Sequence, residues 1–464
     1  MNRYLSRFFL IGCVQIVLST GVALASNHEI VEIIRGKVEQ ITSGEELQIE
    51  SARIASVTVL PELYEKNGFQ RLWTNPQNVE DLFNAIKTIE ELRPQHIVYG
   101  RYKSALKKYR AYQADGGWEP VPTGPTLKKG MQDDRVLLLR KRLKITGDLT
   151  PESPDSGIFD DPLEQAVKQF QARHHLAADG VVGQQTLETL NVPVEARIDQ
   201  IRINLERLRW VLHAISGKFV IADIAGFEVF VYKDNETIWT SRVQVGRPYR
   251  QTPVLKASIT YLELNPTWTV PPGILAKDIL PAAKKDPNYL KDRNIRVIDR
   301  TGKVISQDTI DWSKYSGRNF PYQLRQDPGP DNAMGLIKIM FPNKHLVFIH
   351  DTPSRSLFER TDRTFSSGCI RTEKPFELAK ILLDNPAEWN QESFKRIIDS
   401  GRTQRVTLPK PVPVLLFYWT AAARPDGSVR FKKDPYKRDA EVLEGLNGEF
   451  RFRKRPVGQK RQTL

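Results

Sequence analysis

The sequence lacks the short motifs that mark several large enzyme classes. It contains no glycine-rich phosphate loop, no His-x-x-x-His metal pair and no Gly-x-Ser-x-Gly elbow, which disfavours nucleotide, zinc and serine-hydrolase chemistry. His174 and His175 are adjacent, but no further Cys, Asp or His stands near them at ligand spacing. We therefore expect them on the surface or at a helix end, and we expect neither a metal nor a cofactor.

Cysteine is scarce as well, because the 464 residues contain only Cys13 and Cys369. Cys13 lies in an amino-terminal segment with basic residues, an apolar run and the small-x-small sequence Ala23-Leu24-Ala25. This pattern predicts a secretory signal peptide, residues 1–25. A membrane anchor is an alternative, although the run is short for a stable span, and lipidation of Cys13 is another. Cleavage would leave Cys369 alone and without a disulfide partner, so this thiol is either buried or used.

The charge balance indicates an anionic partner. The chain has 69 basic and 55 acidic residues, a net charge of +14. For an exported protein this favours acidic headgroups or a carboxylate-rich cell wall over nucleic acid. Part of the excess lies in the tail 451–464, which has no apolar periodicity and predicts disorder.

Periodicity and turn residues divide the chain into helical and strand-rich parts. Val136, Leu139 and Leu143 recur at helical spacing, and so do Leu163, Val167 and Phe170. From Lys218 onward, short extended runs between turns predict strands. The predicted regions are a signal peptide (1–25), a mixed helical scaffold (26–125), a small three-helix binding module (126–193), a connecting helix (194–217), a catalytic domain (218–435) with a lid insertion near 271–332, and a basic tail (436–464). The fold class is α+β and multidomain, with a β-rich, sandwich-like catalytic domain.

The candidate chemistry is centred on Cys369. A thiol becomes a nucleophile when a base stands beside it, and His350 lies 19 residues earlier, near the end of the predicted strand "HLVFIHD". Gly368 permits a tight turn, so its N–H and that of Cys369 could face a developing oxyanion. Spacing alone makes the pair only a candidate.

Two segments carry a family resemblance. "IHDTPSRSLFERTDRTFSSGCIR" closely resembles the signature of L,D-transpeptidases with a YkuD-type catalytic domain, and Ser367 stands where many members have a second histidine. The Ser-Ser-Gly-Cys form, with "VGRPYRQTPV" and "LNPTWTVPPGI", resembles the large periplasmic branch of that family. The segments "RVLLLRKRL", "AVKQFQARHHLAADGVVG" and "TLETLN" resemble the peptidoglycan-binding domain 1 family.

The resemblance implies a role for each motif residue. Cys369 is the nucleophile, His350 the general base, and Gly368 supplies oxyanion backbone. The implied substrate-binding residues are Arg371, Ser366, Ser367 and Trp268. For Arg371, a role in holding the loop is equally open.

The resemblance also implies a reaction and a place. Cys369 would attack the L-centre carbonyl of diaminopimelate in a stem tetrapeptide, D-Ala would leave, and a second diaminopimelate amine would resolve the thioester. Such an enzyme would react with carbapenems and lie in the periplasm of a Gram-negative envelope. Its partners would be stem peptides, glycan strands and other wall-synthesis proteins, without nucleic acid and without a stable membrane span once the signal is removed.

Three classes of function stay open at this point. They are a transpeptidase, a hydrolase that uses water at the same site (a carboxypeptidase or a wall-protein-releasing enzyme), and a non-catalytic wall-binding protein. The complete set of His350, Cys369 and Arg371 argues against the last. The acceptor that separates the first two is not encoded in the motif.

Overall fold

The computed structural model describes residues 97–211, 217–234 and 236–448. The predicted signal peptide and most of the predicted scaffold region lie outside these residues. Residues 97 to 441 fall in one compact unit. Within the described ranges, no helix is both long and apolar enough to cross a membrane.

The first elements are helices. They are α1 (Ile97–Ala114), α2 (Arg135–Thr146), α3 (Asp161–Arg173), α4 (Gln184–Leu190) and α5 (Val194–Val211). Helix α3 begins where the Asp160 side chain accepts a hydrogen bond from Leu163 N at 3.1 Å, and Pro162 occupies its first turn, which suits a helix start.

Helices α2, α3 and α4 enclose one small apolar core. It contains the residues that the spacing predicts for α2 and α3, Val136, Leu139, Leu143, Leu163, Val167 and Phe170, all buried. Helix α5 buries Ile198, Ile201, Leu205 and Leu208 against aromatic residues of α1. The apolar stripe of the predicted connecting helix therefore packs on a neighbour, as its 3-4 spacing requires.

The two adjacent histidines differ from expectation in one respect. His174 caps the end of α3, but it is buried, whereas the sequence allowed a surface position. Its ring stacks on Phe431 with centroids 5.8 Å apart, and Arg173 donates to the Val429 carbonyl at 3.1 Å. Burial and neighbouring arginines hold the pKa of His174 well below its usual value. The residue is a packing contact, and among the described residues no cluster suits a metal ion.

The strand-rich part forms one nine-stranded sheet. Its strands in chain order are β1 (Phe219–Asp223), β2 (Glu228–Lys233), β3 (Glu236–Gly246), β4 (Leu255–Leu264), β9 (Ile337–Met340), β10 (Ile349–His350), β11 (Thr364–Ser366), β12 (Ile370–Thr372) and β13 (Gln404–Phe417). Their spatial order is β11-β3-β12-β10-β9-β4-β13-β1-β2, and β2 also pairs with β3. The sheet thus closes on itself, which confirms the α+β class with a β-rich catalytic part.

The interior of the closed sheet is apolar. Val229 and Val231 alternate with half-buried residues along β2, which gives the strand one inward face. Helices α8 (Pro375–Leu383) and α9 (Gln391–Asp399) contribute Leu378, Leu382 and Phe394 to the same core. A hairpin of β14 (Ala421–Ala423) and β15 (Val429–Phe431) and helix α10 (Asp439–Asn447) follow the sheet in the chain.

An insertion between β4 and β9 has a sheet and a core of its own. Its strands are β5 (Trp268–Thr269), β6 (Ile295–Ile298), β7 (Val304–Ile305) and β8 (Gln323–Gln326), in the order β5-β8-β6-β7. Its helical part consists of α6 (Pro272–Ile274), a π-helical turn (Leu275–Ile279) and α7 (Leu280–Lys285). The separate apolar cluster of this insertion includes Leu280, Leu290 and Leu324.

Candidate active site

Strand pairing brings the backbone segments of the candidate nucleophile and base next to each other. Strand β10 runs parallel to β12, with Ile349 opposite Ile370 and His350 opposite Arg371. Ile370 N donates to Phe348 O at 2.9 Å, which extends the pairing back to Cys369. His350 and Arg371 are register partners and share a face of the sheet, whereas Cys369 lies in the bend directly before β12. Cys369 is therefore one residue before the strand that pairs with the strand of His350.

The loop before Cys369 is held by its own hydrogen bonds. The Ser366 hydroxyl donates to Cys369 O at 2.5 Å and accepts from Gly368 N at 3.1 Å. Gly368 has φ +115°, a conformation that side chains other than glycine rarely adopt. Its carbonyl accepts from the buried Thr252 hydroxyl at 2.9 Å.

The hydrogen bonds of the loop differ for the Gly368 and Cys369 N–H groups, both of which the sequence predicts to face an oxyanion. The Gly368 N–H is engaged by Ser366, which differs from the sequence expectation. The Cys369 N–H has no hydrogen-bond acceptor within the described part of the chain. Of the two amides, that of Cys369 is the one available to a ligand.

The His350 ring is fixed by the backbone of the next residue. Its Nδ1 lies 2.5 Å from Asp351 O, and a carbonyl only accepts, so Nδ1 carries the proton. The backbone of Met334 also hydrogen-bonds the ring. The Asp351 carboxylate is held in turn by Leu336 N at 2.9 Å and Arg355 Nη2 at 2.7 Å. Sequence reasoning missed Asp351, whose only signal was its place directly after the histidine.

The pKa shifts of His350 and Cys369 both favour the uncharged form of the side chain. Burial, with the Arg371 charge second, lowers the pKa of His350 to about 3. Burial of the sulfur raises the pKa of the Cys369 thiol, while Arg371 and Lys338 lower it. The thiol points toward Leu346 O at 3.9 Å. These shifts favour a neutral imidazole and a protonated thiol.

Charged and polar side chains form a row across the sheet through His350. The register aligns Glu263, Lys338, His350, Arg371 and Gln244 on successive strands β4, β9, β10, β12 and β3. Arg371 reaches Gln244 Oε1 at 3.4 Å, and its buried Nε has no partner in the described ranges. Burial lowers the pKa of Arg371. Two cations thus flank the imidazole.

Two protein families match the chain in these regions. The L,D-transpeptidase catalytic domain family (YkuD) matches residues 217–413, and the family described as "Putative peptidoglycan binding domain" matches residues 132–190. The chain carries a YkuD L,D-transpeptidase catalytic domain. It also carries a peptidoglycan-binding domain of the PG_binding_1 family.

Known proteins resemble the chain over part of its length. A Haemophilus influenzae protein named "Putative L,D-transpeptidase" is 34% identical over 272 residues, which are 58% of this chain and 54% of the relative. The matched region thus spans about half of that relative.

Solved L,D-transpeptidases from Xylanimonas cellulosilytica and Stackebrandtia nassauensis are 15% and 14% identical. They cover 64% and 66% of this chain and 100% and 98% of their own chains, with TM-scores of 0.20 and 0.23. TM-scores this low do not support a structural comparison with this chain.

The remaining predicted site residues of the transpeptidase domain lie in different surroundings. Ser366 is buried and its hydroxyl is committed to the loop, so its substrate-binding role stays a prediction. Ser367 is exposed and accepts a hydrogen bond from Arg250 Nη1 at 2.9 Å. Trp268 lies in β5, paired with Gln326 and half-buried on the core of the insertion. The structure thus gathers Cys369, His350, Gly368 and Arg371, while Trp268 belongs to the insertion.

Proposed function

We propose that this protein cross-links peptidoglycan stem peptides through a thioester on Cys369. The observation that carries the proposal is the parallel pairing of β10, which ends at His350, with β12, which begins directly after Cys369, together with the imidazole proton directed to Asp351 O. The YkuD family match supports the class of reaction. The domain boundaries and the roles of individual residues belong to the proposal.

The first half of the reaction forms the thioester. His350 Nε2 takes the thiol proton as Cys369 Sγ attacks the carbonyl of the L-centre of diaminopimelate in a tetrapeptide. The amide bond to D-Ala breaks, and the proton held by His350 passes to the leaving amine. One amide bond is exchanged for one thioester, and D-Ala is released.

The second half regenerates the thiol. The side-chain amine of a second diaminopimelate attacks the thioester and loses a proton to His350, which returns it to the departing sulfur. An amide replaces the thioester, so the bond energy of the first peptide bond is conserved. The two half-reactions balance without ATP, an oxidant or a metal.

The surroundings of the pair suit the charge that develops. Arg371 and Lys338 flank His350 in the sheet and both lower the pKa of the Cys369 thiol. Positive charges near a thiolate or an oxyanion stabilise it more strongly where water is excluded. The Cys369 N–H, which lacks an acceptor within the described residues, is the amide best placed for the oxyanion.

The peptidoglycan-binding domain supports the choice of substrate. We propose that residues 132–190 hold the enzyme on glycan strands in the periplasm, where the net charge of +14 favours an anionic wall. The insertion near 271–332 is proposed as a lid. Contacts with other wall-synthesis proteins remain part of the proposal.

The test is a muropeptide mass analysis of purified sacculi treated with the wild type and with Cys369→Ala. We expect cross-links between two diaminopimelate residues and released D-Ala with the wild type, and neither with Cys369→Ala. Equal urea unfolding midpoints of the two proteins control for folding. Wild-type cross-linking by Cys369→Ala contradicts the nucleophile assignment. Tripeptide and D-Ala without cross-links would instead identify water as the acceptor and a carboxypeptidase.

A further inference from the structure

Arg250 connects the cysteine loop to the insertion. Its Nη1 donates to Ser367 Oγ at 2.9 Å, two residues from Cys369. The same guanidinium holds Asp278 with both terminal nitrogens, Nη1 to Oδ2 at 2.5 Å and Nη2 to Oδ1 at 3.1 Å. Asp278 lies in the π-helical turn Leu275–Ile279 of the insertion. The planar fork of an arginine beside the nucleophile therefore already holds one carboxylate.

The backbone that carries Arg250 is tightly fixed to the cysteine loop. Arg250 N donates to Arg247 O at 2.8 Å, and Arg247 N donates to Ser366 O at 3.0 Å. Gly246 is required here, because a Cβ on it would lie 2.1 Å from Arg250 O. The backbone of Arg250 thus stays beside the cysteine loop whatever its guanidinium binds.

The two members of the ion pair differ in their access to water. The Arg250 side chain is 13% exposed, whereas that of Asp278 is 42% exposed. The Asp278 carboxylate can therefore be hydrated when it leaves the ion pair. Arg250 would then be a mostly buried cation without a counter-ion. Replacement of one carboxylate by another leaves no buried charge unpaired, which makes the exchange far less costly than loss of the pair.

We propose that Arg250 binds a carboxylate of the stem peptide, and that Asp278 occupies this site in the unliganded enzyme. The inference rests on the proposed function, since the tetrapeptide carries free carboxylates on its D-glutamate, on diaminopimelate and on the terminal D-Ala. A peptide bound at Cys369 would present one of them close to Arg250. Its arrival releases Asp278, and with it the tie between the insertion and the cysteine loop.

A fixed clamp is the competing account, and it predicts a different sign. If the ion pair only holds the insertion in place, loss of either partner weakens peptide binding. If Asp278 competes with the peptide, its removal strengthens binding while removal of Arg250 weakens it. Opposite signs for the two partners therefore distinguish a self-occupied binding site from a structural tie.

The experiment measures tetrapeptide affinity by calorimetry in the full chain with Cys369→Ala, so that no turnover occurs. In this background we expect Asp278→Asn to bind several-fold more tightly. We expect Arg250→Ala to bind about tenfold or more weakly, the range for a lost charged hydrogen bond. Arg250→Lys keeps the charge but loses the fork, so it restores binding only in part. The matched control is Asp327→Asn, which breaks the Arg296–Asp327 ion pair inside the same insertion and should leave the affinity unchanged.

Peptides amidated singly at the terminal D-Ala, at diaminopimelate or at D-glutamate identify the carboxylate. Arg250→Ala should cost nothing further with the peptide whose contacting carboxylate is amidated. Weaker binding by both Asp278→Asn and Arg250→Ala overturns the proposal, and so does an Arg250 effect that survives all three amidations. If wild-type protein still cross-links sacculi in those cases, only this inference fails. Tetrapeptide binding that is absent from every variant, together with absent cross-linking, overturns the proposed function as well.

Discussion

Thr252 is the side chain that joins the cysteine loop to the body of the sheet. It is buried, its hydroxyl donates to Gly368 O at 2.9 Å, and it accepts from Gly246 N at 2.9 Å. Thr252→Val keeps the shape but removes both hydrogen bonds. The Gly246 N–H and the Gly368 carbonyl are then buried without this partner.

The expected loss of stability follows from leaving buried polar groups without hydrogen-bond partners. Each lost partner destabilises by about 1–3 kcal/mol, so Thr252→Val, which removes two, should lose about 2–6 kcal/mol of unfolding free energy. The released Gly368 carbonyl should also loosen the backbone that aims Cys369. Because a 1 Å misplacement can slow a reaction about 100-fold, we expect acylation of Cys369 to fall at least tenfold.

The assay combines urea unfolding with the rate at which a carbapenem adds its mass to the protein. Thr252→Ser keeps the hydroxyl and should restore most of the acylation rate. The matched control is Thr309→Val, whose hydroxyl makes one exposed hydrogen bond to Ser306 O at 2.8 Å, and which should change little. A Thr252→Val protein that unfolds with the wild type and acylates at its rate would refute the reasoning.

The remaining predictions concern the general base His350, stability at acid pH and binding to the cell wall. We expect His350→Ala to slow carbapenem acylation by about 100-fold or more and Ser367→Ala only modestly, measured by stopped flow; equal losses would mean that the proton passes through Ser367. Because burial depresses the pKa of His174 and His350, the unfolded chain binds more protons than the folded chain below about pH 6.5. Stability should therefore fall as the pH drops from 6.5 toward 3, by up to about 2 kcal/mol per histidine at pH 5, and His350→Gln should reduce this slope in urea unfolding across pH; an unchanged slope would contradict the assignment. Ile158 is exposed on the peptidoglycan-binding domain. Ile158→Ser should weaken the pull-down of the protein by sacculi and leave the turnover of soluble tetrapeptide unchanged. Equal loss of both would place this domain in catalysis.

Local patterns predicted well where a single segment decides the outcome. The helices at α2 and α3 follow from apolar residues three and four apart, and the strands β1, β2 and β3 follow from short extended runs between turns. His174 shows the limit of such reasoning. Its burial depends on Phe431, which lies 257 residues further along the chain and contributes nothing to the local pattern.

The sequence by itself determined the family signature around Cys369, the choice of Cys369 and His350 as candidates, and the existence of the binding domain and the insertion. Only the tertiary structure decided which atoms meet. Arg371 lies beside Gln244 across 127 residues of chain, and Arg250 reaches Ser367 across 117. The Asp351 carbonyl on His350 is local in sequence, but its direction depends on Leu336 and Arg355, which hold the Asp351 carboxylate. A side-chain pattern records which groups are present, whereas the closure of the sheet fixes their register, and register sets which groups can exchange a proton or share a carboxylate.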